Sequence, residues 1–159
     1  MFNMFKSKNK KKRIVAPIGG IVHELRKGKD PVFADGLMGP GCFIIPNDEG
    51  KIYAPCNGIV SSVFPTKHAY SFESDDGVEI IIHIGINTVN LNGELFENYV
   101  KNDQIIKKGD LIVSFDLDEI QKRNFATDIF IVFPNQTEKE MKIQLGNINI
   151  GDTLIDFEK

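Results

Sequence analysis

Tryptophan is absent from the 159-residue chain, cysteine occurs twice and histidine only three times. The missing tryptophan accompanies an abundance of Ile, Lys and Asn, and reflects codon usage in an AT-rich genome rather than a structural demand. Cys42 and Cys56 fit buried thiols in a reduced cytosolic protein, and their spacing is not that of a metal site. Long apolar runs are also missing. Ile80-Ile81-Ile82 stops at His83, far short of the roughly 18 residues a membrane span needs. The segment Ile14–Val22 follows basic residues as a secretory signal would. It contains Pro17 and Gly19-Gly20, however, and runs into Glu24 and Arg26 with no small-residue cleavage site, which excludes a signal peptide. The remaining composition, 42% hydrophobic and 26% charged, is that of an ordinary globular domain. The length predicts one core.

Net charge is −3, unevenly spread. Lys6, Lys8, Lys10, Lys11, Lys12 and Arg13 contribute +6 with no acid among them, so residues 14–159 carry −9. An acidic domain excludes nucleic acid as the default partner, because phosphate neutralisation needs a basic face. Residues 1–13 are expected to be a basic, disordered tail ahead of a single domain, 14–159. Met1, Phe2, Met4 and Phe5 beside the cations leave a second reading open, a weak contact with a membrane surface.

Two pairs of segments look alike. Residues 16–22 and 54–60 both read Ala-Pro-x-x-Gly-x-Val, a strand, a Pro/Gly turn and a second strand. Gly109-Asp110 and Gly151-Asp152 each open a strand that ends in an aromatic residue, Phe115 or Phe157. Segments 43–46, 51–54, 58–64, 69–73, 78–83, 111–115, 128–133 and 153–157 are short, rich in Val, Ile and Phe, and bounded by turn residues. Helical periodicity is confined to 117–124, with Asp116 or Asp118 as cap. The pattern predicts an all-β protein, an antiparallel sandwich or barrel with a duplicated strand motif and one or two very short helices.

Of the histidines, His23 sits in a repeat strand beside Glu24 and reads as structural or exposed. His68 and His83 flank a hairpin turned at Ser74-Asp75-Asp76-Gly77. A four-residue loop pairs His68 with His83. A three-residue loop sets His83 opposite Ala69 and Glu73 opposite Glu79, a like-charge pair, but groups Tyr70, Phe72, Val78, Ile80 and Ile82 better. Both registers leave the two imidazoles adjacent. As zinc ligands they are at least one short of a catalytic set. As a phosphoryl relay they suffice: one imidazole nitrogen attacks, and the other ring donates a hydrogen bond to the phosphoryl oxygens.

The stretches Phe64-Pro65-Thr66-Lys67-His68-Ala69 and His83-Ile84-Gly85-Ile86-Asn87-Thr88-Val89 carry a resemblance. So do Val32-Phe33-Ala34, Met38-Gly39-Pro40-Gly41, Leu91–Phe96 and Lys107–Leu111. Together they resemble the glucose-type enzyme IIA of the bacterial phosphoenolpyruvate:sugar phosphotransferase system, over nearly the whole chain from Ile14. The resemblance implies that His83 accepts a phosphoryl group at Nε2 from phospho-HPr and passes it to the IIB domain of a sugar permease. It further implies that His68 hydrogen-bonds the phosphoryl group, that Thr66 supports His68, and that no metal or organic cofactor is needed. Asp30, Val32, Phe33, Met38, Ile81, Asn87 and Val89 then form the partner-binding face, in a cytoplasmic protein. Phe33 is expected to be an exposed docking anchor, since Asp30–Phe33 reads as loop. One departure is Asn87, where the family commonly has Asp; this removes a charge from the docking face.

Two other functions share parts of the pattern. Lysostaphin-type zinc endopeptidases need His-x-His on a strand, and here the stretch is His83-Ile84-Gly85. Biotinyl and lipoyl carriers share the Gly-Asp strand starts, and Glu140–Ile143 superficially resembles their modified-lysine hairpin, but Thr137-Glu138-Lys139 does not make the tight turn.

Overall fold

The computed structural model describes residues 12–47 and 49–157. Fourteen strands are formed in this span: β1 (Lys12–Val15), β2 (Gly20–Glu24), β3 (Gly41–Pro46), β4 (Lys51–Tyr53), β5 (Gly58–Val63), β6 (Ala69–Ser74) and β7 (Glu79–Ile84) come first. They are followed by β8 (Phe96–Asn98), β9 (Ile105–Ile106), β10 (Leu111–Phe115), β11 (Ile129–Val132), β12 (Met141–Ile143), β13 (Gly146–Ile148) and β14 (Thr153–Phe157). The two helices are α1 (Pro31–Ala34) and α2 (Leu117–Lys122). Every strand pair is antiparallel. An eight-stranded sheet in the order β13-β2-β3-β11-β7-β6-β5-β9 is accompanied by two three-stranded sheets, β1-β14-β12 and β4-β10-β8. One core holds residues from all three, among them Ile14, Ile52, Tyr70, Ile82, Ile112, Ile131 and Ile155. The protein is an all-β sandwich, one of the two architectures that the many short, turn-bounded strands predict.

The duplicated motif is a real structural repeat. The amide of Val15 donates to the Pro55 carbonyl at 3.1 Å, and the amide of Tyr53, its counterpart, donates to Pro17 at 2.9 Å. The Ala16 amide bonds Asp152 and the Ala54 amide bonds Asp110, so each copy carries its own Gly-Asp strand start. Gly20 and Gly58 hold equivalent places, where a Cβ would overlap the Ile45 and Glu73 carbonyls respectively. This close approach of strands explains the glycine common to both copies.

One boundary differs from the sequence expectation. Lys12 and Arg13 already belong to β1, opposite Phe157 and Asp156, and the Arg13 guanidinium reaches Asp156 at 2.7 Å. The sheet therefore begins inside the expected tail; residues 1–11 lie outside the described residues. The helix α2 is capped by Asp116, whose carboxylate accepts from the Glu119 amide at 3.1 Å, and buries Leu117 and Ile120.

The β6–β7 hairpin adopts the register that the apolar residues favour. Ala69 faces His83 and Glu73 faces Glu79. Tyr70, Phe72, Val78, Ile80 and Ile82 all turn to the core, fully buried, while both glutamates stand in solvent. Each buried side chain is worth roughly 1.5–3 kcal/mol. A solvent-exposed like-charge pair costs at most about 1 kcal/mol. The hydrophobic term decides.

Candidate histidine-pair site

The opposite face of the eight-stranded sheet carries a second, smaller apolar cluster of Leu25, Phe33, Phe43, Phe130 and Val132, with Ile81 and Ile86 packed against it. His83 lies on this face of β7, opposite Phe130 of β11 and Ala69 of β6. His68 immediately precedes β6, and its carbonyl accepts the Ile84 amide at 2.7 Å. The two imidazoles meet edge-to-face, centroids 4.9 Å apart and planes at 88°.

The inner nitrogen is hydrogen-bonded in His68 and buried without a partner in His83. Thr66 Oγ1 lies 2.7 Å from Nδ1 of His68, and His68 is only 4% exposed. The intervening Lys67 takes a left-handed conformation, φ 62°, which brings Thr66 back onto the ring two residues later. In His83, Nδ1 is buried with no hydrogen-bond partner, while the Gly85 backbone favours the protonated ring. This leaves Nε2 as the nitrogen that can reach a reactant. Gly85 sits at φ 80°, where a Cβ would strike the Thr88 methyl and the Ala126 carbonyl. Thr88 Oγ1 in turn donates to the Ile84 carbonyl. The His-x-Gly-x-x-Thr spacing is thus a turn that fixes the end of β7.

Burial sets the charge state. His83 is pushed down to about 4, first by desolvation and then by its neighbour His68, against the opposing pull of the Gly85 backbone and Asp30. His68 is also lowered by desolvation, with a hydrogen bond to the Thr66 backbone opposing. Both rings are neutral at pH 7, and a neutral imidazole has a free lone pair for attack.

The other predicted site residues divide. Val32 (47% exposed), Met38 and Val89 are exposed on the segments flanking the pair, and Asn87 is exposed at φ 63° ahead of the turn Thr88–Leu91. Ile81 is half-buried against the second apolar cluster. Asp30 caps α1, its Oδ1 accepting from the Val32 amide at 3.1 Å. Phe33 is a correction. It is 5% exposed, not a free docking anchor, because Pro31–Ala34 forms a helical turn and aims the ring inward at Phe130 and His83. Two exposed apolar residues were missed: Leu37, just after α1, and Phe64, whose ring lies 6.0 Å from His68. Phe64-Pro65 beside Thr66 was the available signal. His23 stacks on Phe43 at 5.1 Å, consistent with its structural reading. Among the described residues no third His, Cys, Asp or Glu joins the pair in a metal-ligand cluster. Lys142 lies in β12 paired with β14, not at a hairpin tip as a biotinyl lysine would.

An all-β sandwich thus presents two neighbouring imidazoles on one face of its eight-stranded sheet. A family model described as phosphoenolpyruvate-dependent sugar phosphotransferase system, EIIA 1, matches residues 12–139. The solved structure of glucose permease IIA from Mycoplasma capricolum is 34% identical, with a TM-score of 0.87 over 94% of this chain and 97% of that one. The chain belongs to the EIIA 1 family of the sugar phosphotransferase system. No helix among the described residues is long and apolar enough to cross a membrane.

Proposed function

We propose that this protein is a cytoplasmic phosphoryl carrier that takes a phosphoryl group from phospho-HPr on His83 and gives it to the IIB domain of a sugar permease. The observation that carries the reading is the pair itself: two neutral rings edge-to-face, each with its inner nitrogen engaged or buried, so that both Nε2 atoms remain for a phosphoryl group. In the forward step, the Nε2 lone pair of His83 attacks phosphorus as the bond to the donor's imidazole nitrogen breaks, and the electron pair leaves with the donor ring. The Nδ1 proton of His83 stays on the ring, and the Gly85 backbone together with Asp30 favours the positive ring that forms. In the Nε2–H tautomer of His68, Nδ1 accepts from Thr66 Oγ1, and Nε2–H is the donor to the phosphoryl oxygens. In the onward step a IIB cysteine thiolate attacks phosphorus and the P–N bond breaks, returning neutral His83.

Val32, Met38, Val89, Leu37 and Phe64 supply an exposed apolar rim for both partners. Asp30, Ile81 and Asn87 complete it, with Asp30 retaining a charge that Asn87 lacks. Residues 1–11 carry no step in this scheme and are free to serve as a weak membrane-surface contact. Incubation with phosphoenolpyruvate, enzyme I and HPr tests the proposal. Acid-labile phosphate that is lost in His83→Gln supports it; in His68→Gln, uptake persists but onward transfer fails. Normal labelling of His83→Gln with none in His68→Gln reverses the two roles.

A further inference from the structure

We infer that α1 is a brace for the sheet histidine, and that Phe33 positions the His83 imidazole rather than the partner; the acceptor role of His83 is taken from the reading above. A single helical turn is unstable by itself. Here Pro31 begins it, Asp30 caps it, and the Asp30 carbonyl accepts from the amides of Phe33 and Ala34 at 3.1 and 2.9 Å. What anchors it to the sheet is the ring of Phe33. That ring lies flat on Phe130, centroids 4.5 Å apart and planes at 10°, and Phe130 packs on Phe43 at 5.6 Å. The row of rings ends at His83, 4.9 Å from Phe33 with the planes at 54°. His68 lies at the same distance from His83, and Phe130 at 6.4 Å.

The two neighbours in α1 therefore act in opposite directions. Val32 stands in solvent, whereas Phe33 is buried against the imidazole. Turning the His83 ring over would bring buried Nδ1 outward and take Nε2 inward, and the sweep passes through space filled by Phe33. Phe33 thus fixes which nitrogen faces out. It also strips water from the ring, whose titratable neighbours in the fold are His68 and Asp30.

The test uses the full chain with Phe33→Leu, which keeps an apolar side chain, and Phe33→Ala. Nitrogen NMR of the His83 ring reports its titration and tautomer without any phosphoryl donor. Rapid-mixing phosphoryl uptake across HPr concentrations separates saturating rate from half-saturating concentration. A brace predicts that the His83 midpoint rises by about one pH unit toward the ordinary histidine value. It also predicts a saturating rate lower by about tenfold, with little change in half-saturation. Should Phe33→Ala fail to fold, Phe33→Leu carries the same expectations. A docking anchor gives the reverse: half-saturation rises while the saturating rate and the His83 titration are unmoved, and this result overturns the inference. A wild-type protein that takes no phosphoryl group overturns the acceptor reading; an unmoved His83 midpoint overturns the brace.

Discussion

Replacing His83 by Gln should remove a defined portion of the pH dependence of stability. The His83 pKa is held at about 4 in the folded protein, against 6.5 for an ordinary histidine. Between those values the unfolded chain binds a proton that the folded one does not, so stability rises with pH across this window. The contribution is complete above 6.5, and it is lost as pH falls through about 4. Each pH unit between the folded and unfolded midpoints is worth roughly 1.4 kcal/mol, so the whole effect is on the order of 3 kcal/mol. Carboxylates titrate in the same range, so the wild-type curve alone does not isolate it. The difference between wild type and His83→Gln does, because the amide fills a similar space and takes no proton. Urea unfolding at half-unit steps from pH 4 to 7.5 measures both. The account predicts that the wild type loses about 2–3 kcal/mol more than His83→Gln on going from pH 7 to pH 4. Parallel curves would refute it, and would show that the imidazole is solvated in solution.

Three further outcomes follow from the same site and core. Thr66→Val removes the 2.7 Å partner of His68 Nδ1; with about 1.4 kcal/mol lost, transfer from the phosphorylated protein to a IIB domain should slow about tenfold in quenched-flow assays. Lys67→Asn relieves the cost of holding Lys at φ 62° and should raise stability by roughly 0.5–1 kcal/mol in denaturant titration, with phosphoryl uptake retained. Tyr70→Phe deletes a fully buried hydroxyl that has no hydrogen-bond partner; the melting temperature should be unchanged or higher, because no bond is lost and a desolvated polar group is removed.

Much of this molecule was legible because its information is local. Ala-Pro-x-x-Gly-x-Val and Gly-Asp mark turns whose chemistry does not depend on the rest of the chain, and both recur in the fold as equivalent copies. The adjacency of His68 and His83 was equally secure, since either register of a short hairpin brings the rings together. The choice between registers was not local. It depended on which face of β6 and β7 meets the core, and the burial of Tyr70, Phe72 and Ile80 outweighed the opposition of Glu73 and Glu79. Strands β8, β9, β12 and β13 escaped notice because they are two or three residues long, and β9 and β13 are defined by partners far away in sequence, β5 and β2. Phe33 was misplaced for a related reason. Pro31 and Asp30 are helix-start residues, but a four-residue turn has no periodicity to read, and its ring is buried only because Phe130 and His83 lie beneath it.

The central claim is that His83 carries the phosphoryl group on Nε2, the nitrogen left outward when Nδ1 is buried. The most direct measurement is NMR of the protein phosphorylated through enzyme I and HPr, with labelled ring nitrogens and phosphorus coupling to identify the bonded atom. The account predicts a single phosphoimidazole, coupled to Nε2 of His83, with His68 unmodified. Phosphorus coupled to Nδ1 of His83, or to either nitrogen of His68, would contradict it.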